Sequence, residues 1–139
     1  MSRGFSLVEV ALTMAIVSAL AAVAIPSLAS WRERHVVIHE TKRLQRTLER
    51  AYTVALLRDI VVAVSLENKR VNVTTKNNLA LISYNPHPDV TVQLKSKDQR
   101  ELLFYPSHTA TPTTVLVSGA RVTCSVIMSL RGRTRRECP

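Results

Sequence analysis

The chain of 139 residues carries 19 Lys and Arg against 10 Asp and Glu, a formal net charge of +9, and only 4% of it is aromatic. That balance favours anionic partners, whether nucleic acid, anionic lipid or an acidic protein face, and the length excludes a multidomain protein. Nothing in it points to an enzyme or a cofactor. There is no Gly-rich phosphate loop, no metal-ligand cluster, no pair of carboxylates placed for acid–base work and no nucleophile–base pair. Ser107 and His108 are adjacent, but neighbours on an extended chain point apart.

In chain order, Met1-Ser2-Arg3-Gly4 precede an apolar run from Phe5 to Leu28, uncharged from Val10 to Ile25 and broken only by the hydroxyls of Thr13 and Ser18. About 20 apolar residues span a bilayer core, so this is a transmembrane candidate. An ordinary secretory signal has a longer basic start and a small-residue cleavage site after its apolar core; here Arg3 and Gly4 both come before it. Glu9 is the exception inside the run. An ionisable group in a membrane segment is costly and normally has a partner, which makes it a functional candidate.

Gly4-Phe5-Ser6-Leu7-Val8-Glu9 resembles the processing site of the type IV pilins and the type II secretion pseudopilins. The resemblance implies cleavage by prepilin peptidase after Gly4, N-methylation of the new N-terminal Phe5, and a role for Glu9 in assembly with other pilin or pseudopilin subunits. It further implies a leader over residues 1–4, a transmembrane and assembly helix over 5–30, and a periplasmic domain over 31–139. Such a protein sits in the bacterial inner membrane by a single pass and then enters a filament. The physics agrees: a buried carboxylate needs a cation, the amine of Phe5 on a neighbouring subunit supplies one, and the pair would fix axial register. Pro26 stands where these proteins often carry a helix-kinking proline. The bland alternative is a signal anchor with an incidental glutamate. Removing leader and anchor leaves roughly 110 residues, one small domain.

The helix is expected to continue. Trp31 and Arg32 stand where interface anchors commonly sit. From Arg34 to about Arg58, Val37, Thr41, Leu44, Leu48, Ala51 and Ala55 recur at steps of three and four and make one apolar stripe. Arg43, Arg46 and Arg50 fall on another face, read either as a solvated face with the intrahelical pairs Glu40–Arg43 and Arg46–Glu49 or as a contact with lipid headgroups or a partner subunit. His35 and His39 share the spacing of a zinc pair, but no third ligand is near, so no metal is expected.

After Asp59 the period changes from 3.6 to 2. Ile60–Leu66, Val71–Thr75, Leu79–Tyr84, Val90–Leu94, Glu101–Tyr105, Thr113–Ser118 and Arg121–Met128 read as strands, with turns at 67–70 and 76–78. Asn85–Asp89 and Pro106–Pro112 read as loops, the second exposed or mobile. The expected class is α+β: a long N-terminal helix, half membrane-bound and half amphipathic, packed on an antiparallel β-sheet domain that could split into two sheets. This is the type IV pilin-like arrangement that the resemblance implies.

The C-terminus holds the second informative stretch, Arg121 to Pro139. Arg131, Arg133, Arg135 and Arg136 cluster around Gly132 after a strand expected to end near Leu130. Cys124 and Cys138 are the only cysteines. In a periplasmic domain the simple reading is one disulfide, with two free thiols the alternative. A bond would close the arginine segment into a loop and hold a cationic tip in shape. Arginine forks suit phosphate oxygens, and Gly132 allows close backbone approach. Leu103-Phe104-Tyr105-Pro106, the Thr113–Val117 strand and Gly132-Arg133-Thr134-Arg135 resemble the GspH/FimT-like subgroup. In FimT-type minor pilins of naturally competent bacteria a Gly-Arg-x-Arg tail is associated with DNA binding for uptake. By that match Arg133 and Arg135 are the leading contacts, with Arg131 and Arg136 in support and double-stranded DNA as the partner. The chain departs from the subgroup where Ser107-His108 follows Pro106 in place of Asp-Gly. Docking onto acidic neighbours and a passive solvated tail are the competing readings of the tail; for the whole protein they are a type II secretion minor pseudopilin that binds other pseudopilins and a minor pilin that primes pilus assembly without a ligand. With no aromatic residue in the arginine loop, base stacking is unsupported and duplex backbone binding fits better.

Overall fold

The computed structural model describes residues 6–67, 69–77, 79–96 and 101–139. The expected cleavage and methylation positions Gly4 and Phe5 lie outside the described residues, as do Asn68 and Asn78 of the expected turns and the side chain of Pro26. The chain divides into two units, Met1–Arg32 and Glu33–Pro139. Helix α1, Leu7–Arg58, contributes to both.

In the first unit α1 is long and apolar enough, by length and composition, to cross a membrane. Leu7, Leu12, Met14, Val17 and Leu20 are exposed. The two hydroxyls expected to interrupt the run satisfy themselves locally: Thr13 donates to the Val10 carbonyl at 2.8 Å and Ser18 to the Met14 carbonyl at 2.7 Å, so neither needs a partner in an apolar medium. Glu9 is exposed in the first turn of the helix.

In the second unit the rest of α1 covers two antiparallel sheets. Its inward stripe is Val37, Thr41, Leu44, Leu48, Ala51 and Ala55, each buried to within 1%. Three- and four-residue spacing puts all six on one face. Thr41 is tolerated there because its hydroxyl donates to the Val37 carbonyl at 2.7 Å. The helix ends at Arg58, whose charge suits the C-terminal dipole, and Asp59 takes a left-handed conformation, φ +51°.

The strands are β1 Val62–Glu67, β2 Arg70–Thr75, β3 Ala80–Tyr84, β4 Thr91–Leu94, β5 Glu101–Tyr105, β6 Thr109–Ala110, β7 Thr113–Ser118, β8 Thr123–Met128 and β9 Thr134–Glu137. One sheet has the order β3-β2-β1-β5-β6, the other β4-β7-β8-β9. Alternation supplies each core face: Val62, Val64, Val71, Val73, Leu102 and Phe104 from the first sheet, Val115, Val117, Cys124, Val126 and Met128 from the second. Burial of each such aliphatic or aromatic side chain contributes about 1.5–3 kcal/mol.

Two expectations are corrected. The stretch 106–112 is not a free loop: Thr109–Ala110 pairs with β5, Ala110 is buried, and the Thr111 hydroxyl accepts the Leu103 N–H at 3.2 Å. The arginine tail is not only a loop: beyond the strand that ends at Met128 it returns as β9, pairing Met128 with Thr134 and Ser125 with Glu137.

Candidate nucleic-acid interface

The arginine segment is a hairpin. The Gly132 N–H donates to the Ser129 carbonyl at 3.0 Å, and the Ser129 N–H donates to the Arg133 carbonyl at 3.0 Å. The first of these closes a β-turn over Ser129-Leu130-Arg131-Gly132. Gly132 adopts φ +74°, a region that side-chain-bearing residues avoid. It also needs to lack a side chain: a Cβ there would lie 2.5–2.8 Å from three atoms of the Tyr52 ring. The turn is therefore seated on the helix through Gly132. Beyond it the Thr134 hydroxyl donates to Glu49 Oε1 at 2.7 Å, and Gln45 Nε2 donates to the same oxygen at 2.8 Å. Glu49 thus serves the hairpin, and the Arg46 pairing expected for it does not occur. At the far end Cys124 and Cys138 form a disulfide, their Cα atoms 4.4 Å apart, and Arg34 donates to the Pro139 carbonyl at 2.7 Å.

The four arginines are all exposed but do not form one cluster. Arg131 and Arg133 flank Gly132 at the tip. Arg136 lies opposite Val126 and Arg135 opposite Ile127, so alternation sends them to opposite faces of the strand. Arg135 Nη2 is 3.2 Å from Glu137 Oε1, a surface pair that solvent screens. Arg136 is on the same face as Thr134, toward α1.

A groove of about 440 Å³ opens beside the tip, lined by Tyr52, His108, Thr109, Leu130, Arg131 and Arg133. Three elements build it: the helix, the β5–β6 turn and the β8–β9 turn. The two turns belong to different sheets, yet the Ala110 N–H donates to the Leu130 carbonyl at 2.8 Å, which fixes one against the other. The sequence reading missed Tyr52 and His108. The Tyr52–Gly132 contact is long-range and leaves no local signal, whereas a Gly after a strand of alternating residues is itself a hairpin signal.

On the other flank of α1, Arg43 lies 4.1 Å from the centroid of the Tyr84 ring, a cation–π arrangement, and 3.6 Å from Glu40 Oε1. Glu40 Oε2 and the Tyr84 hydroxyl are buried without a hydrogen-bond partner. Burial, and then the Glu40 charge, push the Tyr84 phenol up to about 12. The nearby Thr47 hydroxyl donates instead to the Arg43 carbonyl at 3.0 Å. Arg43 is thus held within the domain surface. Among the described residues no group of three or more His, Cys, Asp or Glu could hold a metal.

No protein-family model matches the chain, and no curated protein sequence matches it. Solved structures do. The crystal structure of the type IV minor pilin FimU of Pseudomonas aeruginosa superposes with a TM-score of 0.65 at 16% identity, over 78% of this chain and 96% of that one. The minor pseudopilin EpsH of the type 2 secretion system of Vibrio cholerae superposes with a TM-score of 0.61 at 12% identity, over 77% of this chain and 98% of that one. The fold, a long N-terminal helix packed on antiparallel sheets, is therefore type IV pilin-like, as the N-terminal motif implied.

Proposed function

We propose that the protein is a minor type IV pilin that binds duplex DNA through its C-terminal arginine hairpin, for uptake in natural transformation. The observation that carries this reading is the hairpin itself. A disulfide at one end and the Tyr52–Gly132 seat at the other hold a turn whose tip presents Arg131 and Arg133, with Arg135 and Arg136 exposed behind it. Such a surface neutralises a few phosphates and reads no base edges, so affinity is modest, salt dependence steep and sequence preference weak. Several subunits on one DNA molecule would compensate through avidity. In this reading prepilin peptidase processes the chain at Gly4–Phe5. Phe5 is methylated, Glu9 pairs with a neighbouring subunit's N-terminus, and the protein waits in the inner membrane, domain in the periplasm, until assembly.

The test is DNA binding by the full chain in nonionic detergent, wild type against Arg133→Ala/Arg135→Ala, across a salt series. Wild type is expected to bind with a steep slope of log K against log salt, and the variant to lose most binding and about two units of slope while staying folded. Equal binding by both sinks the reading. A second reading, a minor pseudopilin of a type II secretion system that binds other pseudopilins, is favoured by the likeness to EpsH over 98% of that chain; it predicts no DNA binding at low salt.

A further inference from the structure

The groove beside the hairpin tip contains a residue that the arginine motif does not include. His108 ends the three-residue turn between β5 and β6, in which Tyr105 pairs with Thr109. Its φ is +59°. A hairpin turn of this length ordinarily places Gly at its left-handed position, which most side-chain-bearing residues avoid. Non-Gly residues held in this region tend to gather at functional sites. This conformation occurs at a groove whose other polar lining residues are Arg131, Arg133, Tyr52 and Thr109.

The remaining walls fit the same ligand. Leu130, 58% exposed, and Tyr52 add apolar surface to the same groove. No carboxylate lines the groove among the described residues, and the hairpin's own acid, Glu137, is 3.2 Å from Arg135 on the strand beyond. The charged or titratable residues that line the groove with His108 are Arg131 and Arg133 from the β8–β9 turn and Tyr52 from α1. An open groove walled by two arginine forks and an imidazole, with no acid, suits a phosphate oxygen and repels a cation.

We propose that this groove is a phosphodiester-binding subsite in which His108 is a third contact beside Arg131 and Arg133. The inference rests on the DNA-binding reading and adds a residue from the opposite sheet to it. A protonated imidazole donates from both nitrogens, a neutral one from only one, and imidazole changes charge between pH 5 and 8. A bound anion favours the charged form. Binding is therefore coupled to proton uptake and strengthens as pH falls.

The experiment titrates a labelled DNA duplex into the full chain in nonionic detergent at pH 5.5, 6.5, 7.5 and 8.5, at fixed ionic strength, then across salt at pH 5.5. Four proteins are compared: wild type, His108→Asn, Arg131→Ala/Arg133→Ala and the control His87→Asn. Asn is chosen because it accepts a left-handed backbone; His87→Asn, in a separate loop, controls for histidine titration elsewhere. Wild type is expected to bind about 3- to 10-fold more tightly at pH 5.5 than at 8.5. His108→Asn flattens that profile, lowers the salt slope at pH 5.5 by about one unit and binds within about twofold of wild type at pH 8.5. His87→Asn keeps the wild-type profile. If the arginine variant loses binding while His108→Asn keeps the full pH dependence, the subsite is wrong and the hairpin reading stands. A wild type that binds independently of pH has the same meaning, and a wild type that fails to bind at low salt overturns both.

Discussion

At Gly132 two requirements coincide: a backbone in the left-handed region and contact with an aromatic ring where a Cβ belongs. Gly132→Ala is therefore expected to lose about 2–5 kcal/mol, combining about 1–2 for the conformation with about 1–3 for overpacking. Urea unfolding measures it. A variant as stable as wild type would show that Tyr52 does not seat the turn, and shortening Tyr52 to Leu in the alanine background should restore part of the loss. Tyr84 gives a second prediction, in pH. Its phenol is raised from 10 to about 12 in the folded protein, so the folded state keeps a proton that the unfolded state has lost between those values. That stabilisation is fully present below pH 10 and declines as pH rises toward 12. Comparing Tyr84→Phe with wild type isolates the effect: the variant lacks this share of the alkaline loss. At neutral pH it should be neutral or slightly more stable, because it removes a buried hydroxyl with no partner. A wild-type-minus-variant difference that stays flat above pH 10 contradicts the assignment.

At the scale of elements, the features legible in sequence were those with a period. The stripe from Val37 to Ala55 is one helix face, and seven expected strands all occur, two with the expected ends and five with an end moved by one or two residues, because alternating burial writes itself into residue choice. What had no period was missed. β9 reads Thr-Arg-Arg-Glu, without an apolar residue, and exists because β8 offers it an edge, Glu49 accepts from Thr134 and a disulfide ties its end. β6 is two residues long and depends on β5 in the same way. The arginines, adjacent in sequence, part company because strand alternation separates Arg135 from Arg136. From this follows the behaviour of β9 on reduction. The disulfide spans 14 residues, and closing such a loop is worth about 3 kcal/mol at most where the freed strand stays docked. Backbone amides of β9 are expected to exchange much faster after reduction, while those of β1 and β2, which share no bond with the tail, keep their protection. Unchanged exchange in β9 would mean that Glu49 and the ladder alone hold the hairpin.

At the scale of the molecule the described residues divide their work. Among the described residues every buried hydrophobic residue lies between Val37 and Met128, within the second unit. A chain lacking residues 1–32 should unfold cooperatively, with a midpoint within a few degrees of that of the second unit in the full protein, as read by circular dichroism in the same detergent. The first unit has the opposite character: exposed Leu, Met and Val over α1, one acid at Glu9, and nothing of its own to bury them against. Under the proposed function lipid or other subunits cover this surface, and a carboxylate within it is costly unless a cation meets it. Under the proposed function that cation is the Phe5 amine of a neighbour. Glu9→Ala should then leave the domain's melting midpoint and its DNA salt slope unchanged while preventing recovery of the protein in sheared filaments. Glu9→Asp, charged but a methylene shorter, should restore part of that recovery. Recovery of Glu9→Ala at wild-type levels would place the register of assembly elsewhere, and a shifted midpoint would show that the two units share stability after all.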